Sequence, residues 1–433
     1  MFLLDDNLLN SLRSVAIGLV IVLSLVGIAV GRIPRLRMNR ATIAFSGAAF
    51  LVVLGALSAE EAFAAIDLGT LVLILSMMII TANLKLSGFF DLAGEAVLRA
   101  AKTPRRLLGL VMLASAVLSA LFLNDTICIM LTPLVAALCV RSKRNPVPYL
   151  IGLALSANIG SAATIIGNPQ NMLIGAASGI PFGRFLTRLA VPSALGVAVA
   201  YFIVTLVFRS EFSGGDRITS AGEIRGLAPE AHSGETPART GGRVYVPLLV
   251  KSLLAVVLMT SAFLVGMNVA AGAMAGAAVL LTTRRIRPER VFAELDWTII
   301  AFFGGLFIIT ESVARTASFA LFVEVGRSAV GQSMGRFSLF TVILSNLVSN
   351  VPAVMLLRPL VDWFADKEKA WLVMAMASTY AGNLTLLGSV ANLIVAETAK
   401  RYGVELKFGA YLKAGLPATI ITTAIGSAWL AFT

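Results

Sequence analysis

Long runs of apolar residues recur along almost the whole of this 433-residue chain and limit what it can fold into. In a bilayer every backbone N–H and C=O group must be satisfied within the protein, so only helices and closed barrels can span it. The runs are continuously apolar rather than alternating, which argues against a barrel. Only 13% of the residues are charged, whereas a soluble domain has roughly 25%. The sequence therefore predicts an all-α polytopic membrane protein.

Two of the apolar runs are interrupted by polar residues and helix breakers. Ser156–Gly175 reads SANIGSAATIIGNPQNMLIG, and Tyr380–Glu397 reads YAGNLTLLGSVANLIVAE. Glycine and proline disfavour a continuous helix, and interrupted segments at corresponding places in two halves indicate a transporter binding site. We therefore predict broken helices over 149–178 and 371–400. The predicted helix-break residues are Gly160, Gly167, Pro169, Gly382 and Gly388.

Two pairs of apolar arms with polar tips predict re-entrant helical hairpins. The arms over 107–140 meet at Asn124 and Asp125, and the arms over 337–364 meet at Asn350. Basic residues flank both outer ends of the first pair, which places these ends on one side and the tip at membrane depth. Non-helical backbone is tolerated there only when it is buried in protein or lines a cavity.

The distribution of charge predicts the topology. Basic residues cluster in short loops such as 32–40, which the positive-inside rule assigns to the cytoplasm. The N-terminus is then outside. The long polar stretch 209–243 is predicted to be a cytoplasmic linker between an N-terminal repeat, 1–208, and a C-terminal repeat, 244–433. The net charge of +12 is explained by this topology rather than by binding to nucleic acid.

The two halves are related by an internal duplication. Asp67 aligns with Asp296, the hairpin tip at Asn124 aligns with the tip at Asn350, and both broken segments read T-[IL]-[IL]-G-x-x-x-N, with a nearly constant spacing between partners. The loop 58–68 is acidic whereas its counterpart, 284–290, is basic, so the repeats are predicted to have inverted topology. Each repeat then has about five transmembrane helices, one of them broken, plus one hairpin, or about ten spans in total.

The predicted hairpin tips and helix breaks place polar groups near the centre of the bilayer. Half-helix N-termini offer N–H groups to an anion or polar oxygen, and unwound carbonyls with Asn and Thr oxygens suit Na⁺ or a hydroxylated neutral solute. For any single residue the structural alternative is a hydrogen bond between helices. The predicted solute-binding residues are Asn124, Asn158, Ser161, Thr164, Asn171, Asn350, Asn383, Thr385, Ser389 and Asn392.

Asp125 is the one acid at a hairpin tip, and Val351 occupies the matching place in the second half. A carboxylate at membrane depth is costly and is by default a functional hypothesis, so we predict that Asp125 couples transport to protons or binds a cation. The alternative is a cap on the second arm of the hairpin. The single histidine, His232, lies in the predicted linker, so we expect no multi-histidine metal site, no catalytic set and no cofactor beyond a coupling H⁺ or Na⁺.

The hairpin sequences resemble the ion-transporter superfamily of arsenite permeases, sodium/proton antiporters and divalent-anion/sodium symporters. LFLNDTICIMLTPLV at Leu121–Val135 is most similar to the arsenite-permease hairpin, and VSNVPAVML at Val348–Leu356 resembles its partner. The resemblance implies separate scaffold and transport parts and a proton-coupling role for Asp125. It also implies a homodimer and, in the arsenite-pump branch, a cytosolic ATPase subunit. The Ser-Asn-Thr signature of the symporters is absent, which argues against a dicarboxylate carrier.

These observations predict a secondary active transporter of the plasma (inner) membrane that exports arsenite or antimonite in exchange for protons. Neutral trihydroxy arsenite needs hydroxyl-matching donors and acceptors, and no arginine falls in either broken segment. The alternative is a proton- or sodium-coupled carrier of an inorganic or carboxylate anion, because the stretch TIIGNPQN resembles generic anion permeases. A channel would need a continuous polar pathway, and two inverted hairpins favour alternating access instead.

Overall fold

The computed structural model describes residues 6–33, 38–213, 244–282 and 286–433. Within these ranges the chain forms helices and one antiparallel pair of two-residue strands, β1 (Arg32–Ile33) and β2 (Met38–Asn39). The prediction of an all-α membrane protein is confirmed, and the short strands only close the turn between the first two helices. The predicted linker, 209–243, begins with a short helix at Arg209–Phe212, and residues 214–243 lie outside the described residues.

The helices of the two halves follow one another in the same order. In the first half they are α1 (Asp6–Val30), α2 (Arg40–Val53), α3 (Ala59–Ala64), α4 (Leu68–Ser87), α5 (Phe89–Ala100), α6 (Pro104–Leu121), α7 (Asn124–Arg141), α8 (Val147–Ser161), α9 (Pro169–Ser178), α10 (Phe182–Val207) and α11 (Arg209–Phe212). In the second half they are α12 (Val246–Leu264), α13 (Val269–Leu281), α14 (Pro288–Ala293), α15 (Trp297–Ala314), α16 (Ala317–Val330), α17 (Met334–Val348), α18 (Asn350–Val361), α19 (Lys367–Ala381), α20 (Val390–Lys400) and α21 (Phe408–Phe432).

Eight helices of the described part of the chain are long and apolar enough to cross a membrane, namely α1, α4, α6, α7, α10, α12, α15 and α21. Shorter apolar helices include α2, α8, α13, α17 and α18. The predicted hairpins correspond to α6–α7 and α17–α18, and the predicted broken helices to α8–α9 and α19–α20. Helix α4 extends to Ser87. It ends at Gly88, whose φ of +81° suits glycine.

Corresponding residues of the two halves have the same structural roles. The side chain of Asp67 caps α4 and that of Asp296 caps α15. Asn39 caps α2 and Asn268 caps α13, and the separation of this pair in the sequence equals that of the two aspartates. Each cap satisfies backbone N–H groups that have no partner within their helix. The caps therefore fix the alignment of the two halves.

The helices form two packed groups. In the first, α2 packs on α15 and α13 packs on α4, with α1 and α12 alongside. In the second, hairpin arm α6 packs on α8 and arm α17 on α19, with α10 and α21 between the halves. Arm α7 reaches across to α20 and α18 reaches across to α9, so each hairpin contacts the broken helix of the other half.

Candidate functional site

Both broken helices unwind where the sequence predicts. Pro169 is the first residue of α9, a position at which its missing N–H costs nothing. The side chain of Asn168 caps α9 by accepting a hydrogen bond of 2.9 Å from the backbone N–H of Asn171. At the matching position Ser389 caps α20 by accepting a 3.2 Å hydrogen bond from the N–H of Ala391. The two breaks are therefore built in the same way.

The predicted helix-break glycines lie where backbones approach closely. Gly167 and Gly388 occupy matching positions in the two loops. A Cβ on Gly167 would lie 2.8 Å from the carbonyl oxygen of Ser119, and one on Gly388 would lie 3.0 Å from that of Gly382. Gly382 directly follows α19, whereas Gly160 is the second-last residue of α8 and precedes the break.

Gly160→Ala is expected to destabilise the protein by about 1–3 kcal/mol, because its Cβ would overlap the backbone of Ala116 on α6 and backbone cannot move aside cheaply. The matched control is Gly18→Ala in α1, where a Cβ meets nothing within 4 Å. Thermal unfolding in detergent should show a lower Tm for Gly160→Ala alone. Equal Tm values would contradict the close approach of α6 and α8.

Asn171 and Asn392 close the two breaks with matching hydrogen bonds. The side-chain amide of Asn171 donates to the carbonyl oxygens of Ser161 at 3.3 Å and Thr164 at 2.8 Å. The amide of Asn392 donates to the carbonyls of Gly382 at 2.7 Å and Thr385 at 3.1 Å. These carbonyls lie at the end of the preceding half-helix or in the loop that follows it, where helical partners are missing. The donors of both amides therefore hold the breaks together.

Asn158 joins the two broken helices and the first hairpin tip. Its side-chain N–H₂ donates to the amide oxygens of Asn383 at 2.9 Å and Asn392 at 3.0 Å. Its own amide oxygen accepts from the Asn124 amide at 3.0 Å and from the Ser389 hydroxyl at 3.2 Å. All five residues are at least nine-tenths buried. Residues predicted from separate segments of the sequence thus meet in one network.

Thr379 makes the reciprocal connection from the second half. Its hydroxyl lies 3.3 Å from the amide nitrogens of Asn168 and Gln170, which donate to it, and 3.4 Å from the amide oxygen of Asn171, to which it donates. Thr379 aligns with Asn158 when the two broken segments are superposed in the sequence. The sequence prediction omitted Thr379, Asn168 and Gln170, and extending the repeat alignment to Asn158 would have identified Thr379.

The remaining predicted residues contribute local bonds. The Ser161 hydroxyl donates to the carbonyl of Asn158 at 2.8 Å, and the Thr164 hydroxyl donates to the carbonyl of Ala120 in the first hairpin at 2.5 Å. Thr385 is half-buried and takes part through its carbonyl. The structure therefore gathers all ten predicted residues around the tips and breaks, mostly bonded to one another.

The second hairpin tip has an unfilled acceptor. Asn350 is 9% exposed, and its amide oxygen has no hydrogen-bond partner among the described residues. Two buried hydroxyls on the first arms of the hairpins, Ser119 and Ser345, share this property and occupy matching positions in the alignment of the hairpin tips. A buried polar group without a partner costs about 1–3 kcal/mol. These three groups, two of them absent from the sequence prediction, therefore lack a hydrogen-bond partner within the described part of the chain.

Asp125 lies in the first turn of α7 and is partly buried. Its carboxylate receives no hydrogen bond from the described residues, and its backbone N–H donates to the amide oxygen of Asn124 at 3.0 Å. The Asp125 carboxylate therefore has no hydrogen-bond partner in the described part of the chain.

Comparison with known proteins places these features in context. A sequence profile of the citrate transporter family (CitMHS) matches residues 19–381. The silicon efflux transporter LSI3 of Oryza sativa subsp. japonica is 30% identical, with 91% of this chain and 93% of that protein covered. The putative transporter arsB of Dictyostelium discoideum is 26% identical, with coverage of 90% and 87%, and a 46 kDa membrane protein of Mycobacterium leprae is 28% identical, with coverage of 91% and 94%.

Two solved transporters have a similar fold. The YdaH transporter of Alcanivorax borkumensis aligns with a TM-score of 0.54 at 13% identity and covers 97% of this chain and 98% of its own. Neisseria gonorrhoeae MtrF aligns with a TM-score of 0.56 at 14% identity and covers 97% and 94%. At such low identity the likeness concerns the fold alone.

Proposed function

From the premise that this chain belongs to the citrate transporter family (CitMHS) of membrane transporters, we propose that it exports arsenite or antimonite in exchange for protons. Family membership confirms the resemblance to the ion-transporter superfamily and establishes a multi-pass membrane transporter. The solute, the coupling ion and the direction of transport are the parts that we add.

The observation that favours a neutral hydroxylated solute is the set of polar groups left without partners. The Asn350 amide oxygen can only accept a hydrogen bond, and the hydroxyls of Ser119 and Ser345 accept or donate. Arsenous acid is uncharged at neutral pH and has three hydroxyls that donate. A fully deprotonated anion has no donor to give to the Asn350 oxygen. The groups left free therefore suit arsenous acid better than sulfate or citrate.

The names of two relatives support the same class of solute. One is a silicon efflux transporter and another is a putative transporter named arsB. Dissolved silicon is silicic acid, which, like arsenous acid, is an uncharged oxyacid with several hydroxyls. A site that binds one by hydroxyl contacts has the chemistry to bind the other, so silicic acid belongs in any test of this transporter.

The relative direction of helices α2 and α15 agrees with alternating access by two inverted repeats. On α15, Gly305 lies against Ala44 of α2, and a Cβ on Gly47 would lie 3.3 Å from Ile309 Cδ1, so the two helices run in the same direction. Helix α2 is the second span of the first half, and α15 is the third span of the second half. In a duplication without inversion these two helices would be antiparallel. The parallel pair supports inverted topology.

A carrier of anions is the second candidate. The profile that matches this chain describes citrate transporters, and the N-termini of α9 and α20 present N–H groups and a positive dipole at the breaks. Such termini bind carboxylates and oxyanions in other proteins. This candidate predicts coupled transport of citrate or sulfate rather than of arsenite.

A flux panel in proteoliposomes should separate the two candidates. We expect an imposed pH gradient to drive accumulation of arsenite, and of silicic acid to a smaller or similar extent, with citrate and sulfate at the level of protein-free liposomes. An imposed Na⁺ gradient should have no effect. Accumulation of citrate or sulfate without arsenite would reject the proposed solute in favour of the anion carrier.

A further inference from the structure

The first hairpin tip is tied to the broken helix of its own half. Asn124 donates its backbone N–H to the carbonyl of Gly167 at 3.0 Å and its side-chain amide to the oxygen of Asn158 at 3.0 Å. The Thr164 hydroxyl adds a bond to the carbonyl of Ala120, on the arm that leads to the tip. Backbone and side chains together therefore fix the first tip in place.

The second hairpin tip lacks the matching bonds. In the described part of the chain the backbone N–H of Asn350 makes no hydrogen bond to Gly388, the counterpart of Gly167. The Asn350 amide oxygen is buried without a partner, and so is the hydroxyl of Ser345 on the arm before it. The two tips are therefore attached differently although their sequences align.

The difference has a cause in the sequence of the second broken helix. Thr379 stands where the first half has Asn158, the partner of the first tip. A threonine side chain is shorter than an asparagine side chain, and the Thr379 hydroxyl bonds to residues at the start of α9. The second hairpin is bonded to its own break through Asn346 instead, whose amide donates to the carbonyl of Ala381 at 3.1 Å.

Aromatic packing anchors the first tip as well. The Phe122 ring, directly after α6, lies edge-on to the rings of Phe90 and Phe89 on α5, with centroids 6.1 and 6.3 Å apart. Edge-to-face aromatic pairs stabilise beyond the area that they bury. Val348 occupies the matching place before the second tip and is only partly buried. The second tip is therefore less strongly held by packing too.

The backbone of the second tip is strained. Ser349, the single residue between α17 and α18, has a φ of +77° and a ψ of 158°, a conformation that is almost confined to glycine. The matching residue of the first tip, Leu123, has an ordinary φ of −57° and ψ of 123°. Rotation of Ser349 to a relaxed conformation would relieve this strain and displace Asn350, the next residue along the chain.

We propose that the second hairpin tip is a gate of the solute site. Ser349 is its hinge, the unpartnered groups of Asn350 and Ser345 bind the solute, and the first tip stays fixed. A solute that bonds to the Asn350 amide oxygen supplies the partner that the protein does not, and this bond holds the strained tip closed. When the solute leaves, relief of strain at Ser349 favours opening. The inference rests on the proposed function only for the identity of the solute.

Amide hydrogen exchange compares the two tips in one sample of the full chain in detergent. Without solute, we expect protection factors at 348–351 to be about tenfold lower than at 122–125, because the second tip opens more easily. Arsenite should raise the protection at the second tip and leave the first tip unchanged. Equal protection of the two tips without solute would overturn the inference.

Ser349→Gly tests the hinge, because glycine adopts a φ of +77° without strain. The tip should then open less often, so that its protection rises about threefold or more and arsenite transport slows by a similar factor. The matched control is Lys143→Gly, which replaces an exposed residue with a φ of +52° between α7 and α8 and should change neither quantity. Unchanged protection in Ser349→Gly, or raised protection with undiminished transport, would reject Ser349 as the hinge.

The comparison without solute separates this inference from the proposed function. If the second tip is less protected but neither arsenite nor silicic acid alters either tip, the proposed solute fails and the mobile second tip stands. If the two tips are equally protected while arsenite is transported, the proposed solute stands and the gate fails.

Discussion

Asp125→Asn is expected to abolish arsenite accumulation driven by a pH gradient while leaving the protein folded. Asparagine has the same shape as aspartate but cannot take up or release a proton. The Asp125 carboxylate receives no hydrogen bond from the described residues, so the substitution leaves no donor without its partner. Everted membrane vesicles energised to pump protons inward provide the measurement, with expression and Tm as checks on folding.

The matched control is Glu95→Gln, which neutralises an exposed acid on α5 and should retain full transport. Proton-driven accumulation that persists in Asp125→Asn would show that another group couples transport to protons. Loss of accumulation together with a Tm much below wild type would instead show a structural role for the carboxylate, contrary to its lack of partners.

Of the substitutions at the site, Asn158→Ala is expected to lower the stability of the protein most. It removes the donor to Asn383 and Asn392 and the acceptor for Asn124 and Ser389, and each buried group left without a partner costs about 1–3 kcal/mol. We therefore expect the free energy of unfolding to fall by more than about 2 kcal/mol. Arsenite binding should weaken as well, because the two breaks would no longer be held in register. Thermal unfolding and equilibrium binding in detergent measure both effects.

Ser156→Ala is the matched control for Asn158→Ala. Ser156 is fully buried on the same helix, but its hydroxyl bonds only to the carbonyls of Gly152 and Leu153 within α8, so its removal disturbs no other element. Ser156→Ala should lower the free energy of unfolding much less than Asn158→Ala does, and it should leave arsenite binding unchanged. Similar losses in the two variants would mean that the connections of Asn158 to the second half contribute little.

The hydrogen bonds at the breaks give most of the asparagines a structural role. Asn171 and Asn392 close the breaks, and Asn158 ties the breaks and the first tip together. In this conformation most of the amide groups that appeared suited to a solute are used by the protein itself. Buried groups without a partner among the described residues include the Asn350 amide oxygen and the hydroxyls of Ser119 and Ser345 on the hairpin arms. The asparagine-rich motifs therefore hold the broken helices together, and our proposal assigns solute binding to the few groups beside them that lack a partner.

The sequence by itself determined the helical membrane fold, the positions of the hairpins and breaks, and the duplication. These follow from local physics: apolar runs in a bilayer must satisfy their backbone as helices, Pro169 supplies no N–H, and the glycines of the breaks fit loops too tight for a Cβ. Matching caps such as Asp67 and Asp296 recur because each half must begin its helices in the same way.

Only the tertiary structure decided which polar groups face each other. An asparagine side chain donates and accepts equally well to a carbonyl, to another amide or to a solute, so its type does not reveal its partner. Asn158 bonds to Asn383 in the other half of the chain, and Thr379 of the second half bonds to Gln170 and Asn171 of the first. Such pairings depend on how distant helices pack. Local sequence therefore predicted where the helices break, and packing determined which polar groups at the breaks and tips bond to one another.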